Sequence, residues 1–230
     1  MFEGFWGNVG YVLGKYALML LKGLGNTMII AISSFFIGIV IGVIIAAVKV
    51  MPKKNNIVLI VLEKIGDFYV GVVRGTPVVV QLLLLYFAIL APLRIPALAV
   101  AIIAFGLNSG AYVAEIMRSG IMSIEKGQME AGRSLGLSYS MTMIKIILPQ
   151  AIKNTIPTLL NEFIALLKET SVAGYITVID VTMATQRIVA KEYQALAPYM
   201  ILAAIYLIVV TILTLIVKQL EKRLRRSDRS

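Results

Sequence analysis

The sequence predicts an all-α, polytopic membrane protein: five transmembrane helices, with a further polar helix on the cytoplasmic side between the third and the fourth. Three observations lead there. The 230-residue chain is 59% hydrophobic and only 15% charged, with a mean hydropathy of +0.90, whereas soluble domains are about 45–50% apolar. Its apolar residues fall in long charge-free runs. Its cations divide unevenly between the segments that join those runs.

Four charge-free runs, 23–48, 75–93, 95–114 and 193–217, match the roughly 20 apolar residues that carry a helix across the hydrocarbon core. The second has Pro77 and Pro92 near its ends. A fifth span is masked by charge. Glu162 interrupts the run between Lys153 and Lys168, yet helical spacing recovers a helix. Asn154, Thr158, Asn161, Glu162, Ala165, Lys168 and Glu169 share one sector about 120° wide. Ile156, Leu159, Leu160, Phe163, Ile164, Leu166 and Leu167 cover the rest. A polar stripe in a membrane faces other protein or a wet cavity. The whole chain, 1–230, reads as a single transmembrane domain. Its spans lie at about 23–49, 75–93, 95–117, 150–172 and 196–218, with a loop at about 119–148.

Orientation follows from the positive residues. With the N-terminus outside, 16 of the 22 Lys and Arg lie at or near the cytoplasmic side, Lys54, Arg225, Arg226 and Arg229 among them. The net charge of +10 is mostly a topology signal. The basic tail 218–229 reads as an anchor at anionic lipid headgroups, not as a nucleic-acid site. The N-terminal MFEGFWGN lacks the basic start of a cleaved signal peptide. Phe2, Phe5, Trp6, Tyr11 and Tyr16 suit the outer interface. Segment 57–74 carries Glu63, Lys64 and Asp67 and is amphipathic. It either lies along the cytoplasmic interface or dips into the membrane before the chain turns at Arg74-Gly75-Thr76-Pro77. Glycine frees the backbone there and proline restricts it; a simple helix break is the alternative.

Several chemistries are excluded. Without Cys or His there is no Cys or His metal ligation, thiol catalysis or disulfide. There is no G-x-x-x-x-G-K-[ST], so no P-loop binds ATP, and no G-x-S-x-G elbow. Nothing marks a selectivity filter, and no internal repeat suggests an ion-coupled carrier. Gly38 and Gly42 form a G-x-x-x-G, which permits close helix packing.

Residues 123–135 have the length of a short helix. Gly136 allows a sharp turn, Ser138 or Ser140 can cap the next helix, and Pro149 marks the start of the fourth span. On physics alone this is an amphipathic surface helix or a docking element. The stretch EAGRSLGLSYSMTMIKIILP, 130–149, resembles the cytoplasmic coupling loop of bacterial ABC importer permeases. Glu130, Ala131, Gly136, Ile146, Leu148 and Pro149 fall at that loop's spacing, and Gly132 stands in place of its second alanine. RGTPVVVQ (74–81), GAYVAEIMRSGIMSIEKGQMEAG (110–132) and LNEFIALLKETSVAGYI (160–176) extend the likeness over about 23–222. Together these blocks resemble permeases of the polar amino acid uptake family, within the type I ABC importers.

The resemblance implies a transport subunit without an ATPase site of its own. It implies no cofactor in this chain, with ATP-Mg bound by two partner ATP-binding cassette subunits. The other implied partners are a second permease subunit, read as an identical copy, an extracytoplasmic solute-binding protein and membrane lipid. It places the chain in the bacterial cytoplasmic membrane, and it assigns Glu130, Ala131, Gly132, Gly136 and Pro149 to ATPase coupling.

The polar stripe supplies the candidate substrate site. Glu162, near the middle of its span, needs a partner or a task, since an intramembrane carboxylate costs about 2.5–3.5 kcal/mol. Two roles are open to it: an internal ion pair or hydrogen bond, or contact with the positive group of a bound amino acid. Asn108, beside Ser109 in the third span, Gln81 in the second, and Asn161 and Glu169 on the stripe can complete a pocket, or serve as packing glue. The substrate is expected to be a polar amino acid, cationic (arginine, lysine or histidine) by virtue of these carboxylates, with glutamine or another neutral polar amino acid as the alternative.

Overall fold

The computed structural model describes residues 2–53 and 56–226. Lys54 and Arg229, two of the cations expected on the cytoplasmic side, lie outside them, as do the side chains of Phe2, Arg225 and Arg226.

The described residues build α-helices in the order α1 (Phe2–Val50), α2 (Ile57–Gly75), α3 (Val78–Leu84), α4 (Ala97–Met122), α5 (Lys126–Ser134), α6 (Tyr139–Thr142), α7 (Leu148–Glu169), α8 (Val181–Glu192) and α9 (Leu196–Arg226). A π turn, Leu85–Ile89, prolongs α3, and another, Met143–Ile147, joins α6 to α7. The end of α7 tightens into a 3-10 turn, Thr170–Ile176. Gly4–Val50 in α1, Ala97–Met122 and Leu196–Leu224 in α9 are long and apolar enough to cross a membrane. At 1.5 Å per residue, α1 is about 73 Å long, more than twice a hydrocarbon core. α7 falls short of the same measure because Lys153, Glu162, Lys168 and Glu169 interrupt it.

The centre of the fold is the α1–α4 pair. The two helices run parallel, and small residues bring their backbones close. A Cβ on Gly38 would lie 2.8 Å from Ser109 Oγ, and one on Gly42 would lie 2.5 Å from Val113 Cγ1. The relation is reciprocal. A Cβ on Gly106 would lie 2.8 Å from Ile37 Cγ2, and one on Gly110 would lie 2.9 Å from Ile41 Cγ2. The G-x-x-x-G predicted for packing thus meets a second one, Gly106 to Gly110, which was equally readable in GLNSG. Ser34 Oγ seals the upper end by donating to the carbonyl of Ile102 at 3.0 Å. Gly42→Ala should destabilise the protein by about 1–3 kcal/mol, the usual cost of overpacking. Adding Val113→Ala should not restore it, because the new Cβ would still stand 2.7 Å from the backbone nitrogen of Ala114. Thermal unfolding of the detergent-purified protein checks both variants.

α7 packs antiparallel on α4. Its Thr155 meets Gly120 near the end of α4, and its Leu166 joins Ala101, Ala104 and Phe105 in the core near the start of α4. α8 lies along the first half of α1. Thr27 Oγ1 accepts from the Val181 amide at 3.2 Å, and Lys15 Nζ reaches Glu192 at 2.9 Å. Between them, a Cβ on Gly23 would lie 2.8 Å from the Asp180 carbonyl. α9 closes this end, with Ile201 against Val12, Leu20 and Ile188.

Segment 57–74 proves to be the first arm of a broken helix pair. α2 and the stretch Val78–Ile89 bend by 108° at the break. Asn56 caps α2, accepting from the Val58 amide at 3.1 Å. α2 is tied at its middle to the end of α1 by Lys49–Asp67 at 2.7 Å, and nearer its start to the linker after α1 by Lys53–Glu63. Its far end reaches midway along α4, where the Tyr69 hydroxyl donates to the Leu107 carbonyl and Arg74 stacks 5.4 Å from the Tyr112 ring centre.

Candidate functional site: a polar line across the bundle and an exposed helix below it

The helix break is held by Gln81. Its side-chain amide nitrogen lies within hydrogen-bond distance of the carbonyls of Val73 (2.8 Å) and Thr76 (3.1 Å) and of Thr76 Oγ1 (2.9 Å), which share its two hydrogens. Pro77 leaves α3 without one amide, and Gln81 instead ties up the open carbonyls at the end of α2. Its Oε1 in turn accepts from Asn108 Nδ2 at 3.1 Å. The next residue, Ser109, turns to the other side of α4 and donates to Glu162 Oε1 at 3.3 Å. Thr76, Gln81, Asn108, Ser109 and Glu162 therefore form a polar line from the break in α2/α3, through α4, to the stripe on α7. Ser109 fits only because Gly38 faces it.

Of the two roles open to Glu162, the internal one is weakly filled. No ion pair among the described residues uses Glu162 or Glu169. The bond from Ser109 is long for a hydroxyl to a carboxylate. No fully buried side-chain oxygen among the described residues lacks a partner, so the second carboxylate oxygen of the half-buried Glu162 keeps some accessibility. Glu162 shares its face of α7 with the stripe. Asn154, Thr158, Asn161 and Lys168 are exposed there, and Glu162 and Glu169 are half-buried. Asn161 has an unobstructed face beside Glu162. Asn108 is engaged with Gln81 and buried, so both lie behind the stripe, one helix away from its surface.

At the other end of α4, the loop 119–148 makes a compact platform. The helix expected over 123–135 is shorter, Lys126–Ser134. Ser123 belongs to the end of α4, its hydroxyl donating to the Gly120 carbonyl at 2.8 Å. Glu125 then takes an extended backbone, ψ 131°, which starts α5 afresh. α5 ends in a Schellman turn. Gly136 has φ 84°, its amide donates to Arg133 at 3.1 Å, and the Leu137 amide donates to Gly132 at 3.1 Å. Of the two candidate caps, Ser138 is the one used, accepting from the Met141 amide at 3.2 Å. Pro149 lies in the first turn of α7, where a missing amide costs least.

Gly132 is explained by Thr142. A Cβ at position 132 would lie 2.5 Å from Thr142 Cγ2 and 2.8 Å from its Oγ1. Glycine here and threonine there are two halves of one contact that seats α5 on α6. The departure at 132 stands out in the sequence, but nothing in the spacing names its partner ten residues away. Gly132→Ala alone should unseat α5 from α6 and destabilise the protein by about 1–3 kcal/mol, the usual cost of overpacking. Thr142→Ala in the same chain should recover part of that loss, since the two atoms under 3 Å are then gone and the remaining Thr142 Cβ, at 3.2 Å, needs only a small adjustment. Thermal unfolding of the single and double variants in detergent checks this.

α5 presents Glu130, Ala131, Arg133 and Leu135 to solvent, Leu135 at 82% exposure. Glu130 bonds nothing among the described residues. Composition alone did not reveal this exposed leucine at a polar helix end.

The family described as binding-protein-dependent transport system inner membrane component matches residues 38–226. The arginine transport system permease protein ArtQ of Bacillus subtilis (strain 168) is 39% identical over 211 residues, covering 91% of this chain and 94% of that protein. The putative glutamine transport system permease protein GlnP of Rickettsia typhi (strain ATCC VR-144 / Wilmington) is 37% identical over 209 residues, covering 90% and 93%. Among solved structures, a crystal structure of an amino acid ABC transporter with histidines superposes with a TM-score of 0.85 at 37% identity, covering 93% of this chain and 97% of that one.

Proposed function

From the premise that this chain belongs to the family of binding-protein-dependent transport system inner membrane components, we propose that it forms the membrane path of an ATP-driven importer whose amino acid cargo is cationic. It is an amino acid ABC transporter permease of the bacterial cytoplasmic membrane. ATP hydrolysis belongs to a separate subunit of such systems, and a binding protein delivers the cargo. Our reading adds that the working unit holds two copies of this chain and two ATPases that bind ATP-Mg, and that five spans form each copy.

In this reading the polar stripe of α7 faces the path. The carboxylate of Glu162, half-buried and without an ion pair among the described residues, is the observation that carries the cationic assignment. A carboxylate without an internal cation, in a setting of low dielectric, attracts a guanidinium or ammonium by about 4 kcal/mol at 4 Å for an effective dielectric of 20. Asn161 can add a hydrogen bond, and Glu169, two turns along the stripe, a second negative charge. Gln81 and Asn108 stiffen the wall behind. On the other side of the membrane, α5 docks on the ATPase through Glu130, Ala131 and Leu135. Gly132 fits it to α6, Gly136 ends it, and Pro149 starts the helix that leads back to the stripe.

A neutral amino acid also carries an α-ammonium that Glu162 can meet, and relatives named for arginine and for glutamine are similarly close. Uptake separates the two. The chain is reconstituted in proteoliposomes with its ATPase and binding protein, and each of the twenty amino acids is offered. Arginine, lysine or histidine should accumulate. Glutamine uptake with none of these three would reject the cationic assignment and keep the importer.

A further inference from the structure

At the end of the molecule far from α5, α1 and α8 enclose a groove of about 530 Å³. Its floor is apolar, made by Leu18, Met19 and Ile179, and three cations stand around it, Lys15, Lys22 and Arg187. The walls are fixed. Gly23 lets α8 touch α1, and the Asn26 amide donates to the Ile179 carbonyl at 2.9 Å. Lys15 is already committed, to Glu192 at 2.9 Å and to the Tyr11 hydroxyl. Hydrogen bonds from Tyr16 and Lys15 hold the Glu192 carboxyl below its usual range, so that pair stays ionised and closed. No ion pair among the described residues uses Lys22 or Arg187, and both are exposed. The groove therefore keeps two uncompensated positive charges over an apolar floor.

We propose that this groove binds one anionic phospholipid, its phosphate between Lys22 and Arg187 and an acyl chain along Leu18 and Ile179. The combination selects an amphiphile. A small soluble anion gains nothing from the apolar floor, and a neutral lipid gains nothing from the cations. The surroundings fit headgroup depth: Leu18 and Leu21 of α1 are exposed beside it, at 66% and 63%, and need hydrocarbon cover. Long cationic side chains at such a level reach up to the phosphates. An acidic protein face is the competing occupant, and it has no use for the exposed leucines.

The test is native mass spectrometry of the full chain, purified in detergent, with phosphatidylglycerol or phosphatidylcholine added. Phosphatidylglycerol should be retained in preference. Lys22→Gln with Arg187→Gln should weaken its retention about 30-fold, taking on the order of fivefold for each cation near the phosphate. Lys22→Arg with Arg187→Lys should keep it. Equal retention of the two lipids by the parent, or unchanged phosphatidylglycerol in the Gln pair, overturns the proposal and leaves the face to a protein partner. Should the Gln pair fail to fold, a salt titration of the parent decides the same point. Preferential retention should fall as salt screens the pair, and a preference indifferent to salt overturns the site. The readout requires no transport, so it stands apart from the importer assignment.

Discussion

Gly136→Val should abolish ATP-driven uptake while the protein still inserts and accumulates in the membrane. The reason is local. Gly136 holds φ 84°, and a β-branched residue at positive φ is a steric outlier. The left-handed conformation costs roughly 1–2 kcal/mol for an L-residue, and relieving it means undoing the Schellman turn that ends α5. There is no crowding to blame, since a Cβ at 136 would meet nothing within 4 Å. That makes the position a clean test of backbone conformation. Gly136→Asn, which tolerates the left-handed region, should keep much of the activity. Uptake and ATPase stimulation in proteoliposomes, beside membrane protein level, measure this. Normal uptake by the valine variant would show that the turn does not carry coupling.

Glu162→Gln should reduce arginine or lysine uptake about 10- to 100-fold, matching the 1.5–3 kcal/mol typical of a hydrogen bond to a charged group, with little change in protein level. Glutamine at this place keeps the shape and still accepts from Ser109, so the wall of α4 and α7 should hold. What disappears is the negative charge. Ser109→Ala should do less, because its bond to Glu162 is long and the hydroxyl only steadies the carboxylate. Concentration-dependent uptake distinguishes the two variants. An unchanged apparent affinity for cationic amino acids in Glu162→Gln would move the recognition elsewhere on the stripe.

Much of this was legible in the sequence, and the reasons differ by element. The apolar runs of α1, α4 and α9 gave themselves away by length. α7 was found through its 100° periodicity, although its charges defeat any hydropathy average. Gly38 and Gly42 announced a close helix contact, but not its partner, because proximity between α1 and α4 is a tertiary fact. The break near Pro77 was legible from Gly75 and Pro77. That Gln81 would bridge it was not, since a glutamine in an apolar helix looks the same whether it faces a path or mends a bend. The Gly132–Thr142 contact and the choice of Ser138 over Ser140 likewise depend on geometry that spacing does not encode.

The parallel contact between α1 and α4 has a mechanical consequence. Glycines on each helix receive side chains from the other, so neither can slide by one residue without steric collision. The two must travel as one rigid strut. At its lower end this strut passes into α5 through only three residues, 123–125, of which Ser123 is still bonded to α4. A displacement of α5 thus meets little slack, and the soft joint of the chain lies instead at Thr76–Pro77, where a single glutamine side chain bridges the bend. Motion that starts at α5 should appear first as a change of angle there, with the strut itself undeformed.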